Sequence, residues 1–184
     1  MNATNFIEAF KRSFAWGLGY WISGTGWLIV SIYFYGKTHL MTSLVIILLM
    51  GILLSIVFIA PISLIKLVKP NKDIFTSSIL FASFLTILEL FRFVLLGGFP
   101  WLLPGLIALD TMGQFLIPII GVYGLSLIIY FLSAFIALSF TYKRSIYLFS
   151  AILCLLIFLP KGNIQQEYSG ESLEIGIIQP SLDP

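Results

Sequence analysis

Residues 40–60 run without one charged side chain, and about 20 such residues are what an α-helix needs to cross a hydrocarbon core about 30 Å thick. In lipid, every backbone N–H and C=O must be satisfied within the segment, so a run of this kind folds as a helix. Charge-poor runs near 14–35, 40–68, 74–96, 114–140 and 142–159 predict an all-α integral membrane protein with about five transmembrane helices. The runs are continuous rather than alternating, which argues against a barrel. Soluble domains carry about 25% charged residues; here the figure is 10%, with 59% hydrophobic residues and a mean hydropathy of +1.06. The runs are also too long and too numerous for one cleaved signal peptide.

Lys and Arg retained on the cytoplasmic side set membrane orientation. They cluster at Lys11 with Arg12, at Lys66, Lys69 and Lys72, and at Lys143 with Arg144, whereas 97–113 has none. The alternation predicts a cytoplasmic N-terminus, an external 97–113 loop and, after an odd number of helices, an external tail. A net charge of +2 spread in short clusters is no nucleic-acid footprint. One cysteine, Cys154, allows no disulfide within the chain and no thiolate set for a metal. Lone His39 has no partner in the sequence that would make it a catalyst, so the residues call for no cofactor and no metal. At Pro160 the sequence turns polar, with Lys161, Glu167, Glu171 and Glu174. This divides a membrane domain, 1–160, from a linker segment, 161–184.

Within the third run, Glu89 and Arg92 stand at i, i+3, on one helix face and within reach of each other. Each charge costs about 2.5–3.5 kcal/mol at a helix centre on insertion scales, so the expectation is that they pair. Two roles fit. Arg92 either lies near the helix end, reaches the headgroups and neutralises Glu89, or the pair sits at the mouth of a lipid cavity. Next come Gly98, Phe99, Pro100 and Trp101, then Gly105 and Asp110. Gly and Pro bend the backbone while Phe and Trp favour the interface, so the loop is either an interfacial anchor or the floor beneath a lipid-handling site. Pro118 removes one helical hydrogen bond, and Gly121 with Gly124 offers a smooth patch for another helix. Gly17, Gly19, Gly24 and Gly26 offer a similar surface on the first helix.

Taken together, Ser23, Gly24, Trp27, Ser31, Ile32 and Gly36, then Glu89, Arg92, the Gly98-Phe99-Pro100-Trp101 string, Gly105, Asp110, Pro118, Gly121 and Val122, then Ile178, Gln179 and Pro180, resemble bacterial apolipoprotein N-acyltransferase. The resemblance covers nearly the whole chain. It implies a multi-pass protein of the bacterial inner membrane whose helices carry a nitrilase-like α/β domain on the periplasmic side, with residues 175–184 as that domain's opening strand and the rest of it beyond the chain. It implies phospholipid as acyl donor, a lipoprotein's diacylglyceryl-cysteine as acceptor, and a cysteine thioester between them. The family's Cys, Glu and Lys lie on the nitrilase-like domain and none maps here, so the chain alone is expected to be inactive. Cys154 is no substitute, since hydrocarbon disfavours a thiolate. Glu89, Arg92, Gly98, Phe99, Pro100 and Trp101 are the expected lipid-contacting residues. The family often has Trp at the position of Leu85 and Tyr at that of Leu106. Two alternatives stay open: a membrane subunit partnered by a separately encoded nitrilase-like chain, and a non-enzymatic membrane protein that binds lipid or a partner.

Overall fold

The computed structural model describes residues 5–68, 73–98, 100–160 and 176. Phe99, Lys69, Lys72, the polar linker and the expected strand at 175–184, Gly176 apart, lie outside the described residues. Asn5 begins the first helix, α1 (Phe6–Thr25): its side chain accepts the Glu8 N–H at 2.8 Å, satisfying one of the orphan donors of a helix start. Glu8 then pairs with Arg12 one turn on. The helix starts ahead of the apolar run and takes Glu8, Lys11 and Arg12 into its first turns, because a cap and an i, i+4 ion pair hold polar residues in a helix as firmly as hydropathy does. Ala9, Ser13, Gly17, Trp21 and Thr25 recur every four residues on its buried side.

After Gly26 come a single turn, α2 (Leu28–Val30), and a π-helical turn at Ser31–Tyr35. The second long helix, α3 (Leu40–Phe58), does not continue to 68. Pro61 has no N–H to give to the preceding turn, and the chain proceeds as 3-10 helix over Ala60–Val68. α4 (Ile74–Leu95) is capped by Asp73, which accepts the Thr76 N–H at 2.7 Å. That backbone hydrogen bond holds the Asp73 carboxyl below the usual carboxylate range. At the other end Gly97 and Gly98 take φ of +61° and +94°, and the Gly98 N–H returns to the Phe93 carbonyl at 2.7 Å. This left-handed closure satisfies a terminal helix carbonyl and turns the chain out of the helix.

Two 3-10 turns, Pro104–Ala108 and Met112–Leu116, lead into α5 (Ile117–Thr141), followed by α6 (Ser145–Cys154) and a last 3-10 turn at Leu155–Phe158. α5 is broken inside by Gly121, at φ 66°, ψ 178°. Among the described residues no other helix makes the expected close approach at Gly121 and Gly124: a Cβ on Gly121 would meet none of their atoms within 4 Å, and one on Gly124 would meet Ile120 of its own helix. Close approach occurs instead at Gly17, where a Cβ would come within 2.9 Å of Ile59, and at Gly105 against α5.

α1 packs on α3 and on the 3-10 segment after it, and α4 packs on α5. Apolar core forms where these meet: Trp21, Leu54, Phe58 and Ile59 in one cluster, Ile62, Ile65, Leu85 and Leu88 in a second. The distribution inverts that of a soluble protein. Ser13, Ser43, Ser55, Ser63, Ser78, Ser126 and Ser139 are buried, while Leu49, Leu53, Phe91, Val94 and Ile119 face outward. Ser55, Ser78 and Ser139 return their hydroxyls to the carbonyl four residues back, so they cost little inside and let helices come close. Leu40–Leu67, Ile74–Leu95 and Met112–Thr141 are long and apolar enough to cross a membrane. Among the described residues the β-type contact is an isolated bridge between Thr111 and Pro160, beside which the Met112 N–H donates to the Leu159 carbonyl at 3.0 Å. That contact puts the point where the chain leaves its last helical turn next to the loop after α4.

Candidate functional site

The last two turns of α4 bring Glu89 and Arg92 into the interior, where they are 5% and 3% exposed. Arg92 therefore does not reach toward headgroups, and the expected direct ion pair is not made among the described residues. Each side chain is drawn to a different neighbouring helix. Tyr130 of α5 donates its hydroxyl to Glu89 Oε1 at 2.6 Å, and Ser126, one turn earlier on α5, also faces the carboxylate. The Arg92 guanidinium lies 5.1 Å from the ring centroid of Trp21 on α1, a cation–π contact that gains strength where water is excluded. Tyr20, edge-on to Trp21 at 5.5 Å, completes the wall. Between α1, α4 and α5 these residues line a partly open cavity with about 20 Å³ of room for water, bordered by Tyr20, Trp21, Leu85, Glu89, Arg92 and Tyr130 among others.

The loop lies at the end of this cluster and is tied to it. Tyr20 donates its hydroxyl to the carbonyl of Leu102, a residue held at φ +56°. That conformation is costly for a branched side chain and persists where surrounding contacts hold it. The Trp101 ring stands 5.3 Å from that of Trp27, in the turn after α1. On the α5 side, the Gly105 N–H donates to Ser126 Oγ at 3.1 Å. A Cβ on Gly105 would strike the Val122 carbonyl oxygen, so only glycine fits so close to the α5 backbone. Of the residues expected at the site, Glu89 and Arg92 thus share one buried cavity, while Gly98, Pro100 and Trp101 lie in the tethered loop. Pro100 is exposed and Trp101 half-buried. Asp110 is exposed on the same loop.

A family model described as the apolipoprotein N-acyltransferase N-terminal domain matches residues 2–135. The chain belongs to this family. It is 32% identical over 183 residues to the apolipoprotein N-acyltransferase of Wigglesworthia glossinidia brevipalpis, covering 98% of this chain and 36% of that protein. It is 32% identical over 157 residues to that of Coxiella burnetii, covering 84% and 32%, and 33% identical over 128 residues to that of Haemophilus influenzae, covering 70% and 24%. The chain thus spans about a third of the length of the first two of these relatives. The matched region contains α1 to α4, the whole loop and Tyr130 of α5, so the cavity and its tethers all belong to the apolipoprotein N-acyltransferase N-terminal domain.

Tyr20, Trp21, Ser126 and Tyr130 were not among the expected site residues. Their signal was present but diffuse: tyrosine and tryptophan inside apolar helices carry a polar tip that needs a partner, and the i, i+3 spacing of Glu89 and Arg92 offered a nearer explanation for both charges. Cys154 is exposed on α6, apart from this cluster.

Proposed function

We propose that this chain is the membrane part of an apolipoprotein N-acyltransferase, shaping the place where a phospholipid acyl donor and a lipoprotein acceptor meet a periplasmic catalytic domain. The observation that carries the proposal is the adjacency of the tethered Trp101 loop to the chain's exit at Pro160, through the Met112–Leu159 hydrogen bond. Sequence leaving residue 160 begins beside the loop. In this assignment residues 1–160 form an inner-membrane domain of about five spans with the N-terminus cytoplasmic, and 161–184 are a periplasmic linker leading toward a nitrilase-like domain, whether covalently continuous or separately encoded. The basic clusters at Lys11 with Arg12 and at Lys143 with Arg144 support that orientation.

Acyl transfer through a thioester needs a nucleophilic cysteine, a base and oxyanion donors, and those would come from the nitrilase-like domain. The helices would contribute positioning. Trp101, paired with Trp27, would lie against the acyl chain or glycerol region of the donor, as amphipathic indoles do at the interface. Pro100 and Gly98 would shape the same edge, and the family resemblance assigns Phe99 to lipid contact as well. Glu89 and Arg92 would hold the end of α4 beneath it through Tyr130 and Trp21. The test is to place a benzoylphenylalanine at position 101 of the chain expressed in bacterial inner membranes and irradiate. A phospholipid adduct, with none from the same probe at exposed Lys143, supports the assignment. An intact, membrane-inserted protein without a lipid adduct at 101 removes it.

A further inference from the structure

Glu89 Oε2, Arg92 Nε and Arg92 Nη2 are among the buried polar atoms that lack a protein partner among the described residues. Their side chains are 5% and 3% exposed, so neither lipid headgroups nor bulk water reach them, and an unsatisfied group at such a site costs about 1–3 kcal/mol, more when charged. Both side chains line the same cavity, whose room for a water centre is about 20 Å³. That is room for at least one water molecule. Charge narrows the occupant further: an anion would face the Glu89 carboxylate and a cation the Arg92 guanidinium. The remaining candidate is small, neutral and both donor and acceptor.

We propose that this cavity is a binding site for one fixed water molecule that bridges Glu89 to Arg92. The water accepts from Arg92 Nε–H and Nη2–H, which fork from one planar group, and donates one proton to Glu89 Oε2. Three hydrogen bonds are the usual complement of a buried water. The bridge explains why the two charges share a cavity without a direct ion pair. It leaves Glu89 free to hold α5 through Tyr130 and leaves Arg92 free to hold α1 through Trp21, so one solvent molecule closes a network across three helices. The site stands independently of the proposed activity.

The test is a structure of the protein in lipid nanodiscs at a resolution that shows ordered solvent. One peak within hydrogen-bond distance of all three atoms is expected. A direct Glu89–Arg92 salt bridge across a dry cavity, or an ion coordinated there, overturns the proposal. Infrared difference spectra supply a second readout that needs no crystal: wild type minus Glu89→Gln is recorded in D2O and in D2-18O. A bound-water O–D band that shifts with oxygen mass, and moves to higher frequency in the variant as its acceptor weakens, is expected. The absence of any oxygen-mass-sensitive difference overturns the proposal.

Discussion

Tyr130→Phe deletes one hydroxyl and keeps the ring, so it isolates the bond that ties α5 to Glu89. The Tyr130 hydroxyl donates to Glu89 Oε1 at 2.6 Å, and Glu89 Oε2 has no partner among the described residues. The substitution therefore takes from a 5% exposed carboxyl the one tyrosine donor it has, with no outside solvent to replace it. Hydrogen bonds to charged groups contribute about 1.5–3 kcal/mol in soluble proteins, and side-chain bonds between membrane helices average about 0.6, with a maximum near 1.7. Burial of the acceptor places this bond at the upper end of the membrane range, so the expected loss is about 1.5 kcal/mol, or about tenfold in the unfolding equilibrium. The assay is reversible unfolding by sodium dodecyl sulfate in mixed micelles, followed by far-UV circular dichroism. Tyr142→Phe is the comparison, since Tyr142 is 51% exposed and such changes stay within about 0.5 kcal/mol. If the two variants unfold alike within that margin, the Tyr130–Glu89 bond does not organise the bundle.

Gly105→Ala forces a methyl group onto the Val122 carbonyl and within 3.0 Å of the Ser126 nitrogen. Because the obstacle is backbone, unfolding in the same assay should show a loss of about 1–3 kcal/mol. Tyr20→Phe releases the Leu102 carbonyl; at about 0.5–1.5 kcal/mol for the bond, amide exchange across residues 100–106 should rise about two- to tenfold while α3 is unaffected. The Asp73 carboxyl has its pKa lowered by the Thr76 N–H, so its capping contribution is present above the ordinary aspartate value of about 3.9 and is lost as pH falls through the lowered one. After correction for intrinsic rates, exchange at Thr76 and Ser77 should accelerate only in that acid range, and Asp73→Asn should remove the pH step.

The long apolar runs made α3, α4 and α5 legible because hydropathy reports burial in lipid directly. The change from α to 3-10 helix after Phe58 was missed because hydropathy alone carries the run on to 68 and gives no weight to the missing N–H of Pro61. The start of α1 was hidden for the opposite reason: Lys11 and Arg12 look like a flank, whereas the Asn5 cap and the Glu8–Arg12 pair hold them in the helix. At the candidate site, the need of Glu89 and Arg92 for compensation was legible from their cost in lipid, whereas the choice for Arg92 between headgroups and a cavity was open. The partners the two side chains take were not legible. Tyr130 is 41 residues from Glu89, and the packing of α4 on α5, with Trp21 of α1 across the cavity, decides which helix each side chain meets. The loop's composition marked it as irregular, but its tethers, Tyr20 and Ser126, come from elements far away in sequence.

The most direct measurement is a chimera in which residues 5–160 of this chain replace the matching part of the Wigglesworthia glossinidia brevipalpis apolipoprotein N-acyltransferase. Membranes carrying it are assayed for acylation of a diacylglyceryl-cysteine peptide. If these helices form the membrane part of such an enzyme, the chimera transfers acyl groups, and Trp101→Ala within it slows transfer at least tenfold without lowering its amount. A chimera inserted at the parental level that transfers nothing contradicts the account.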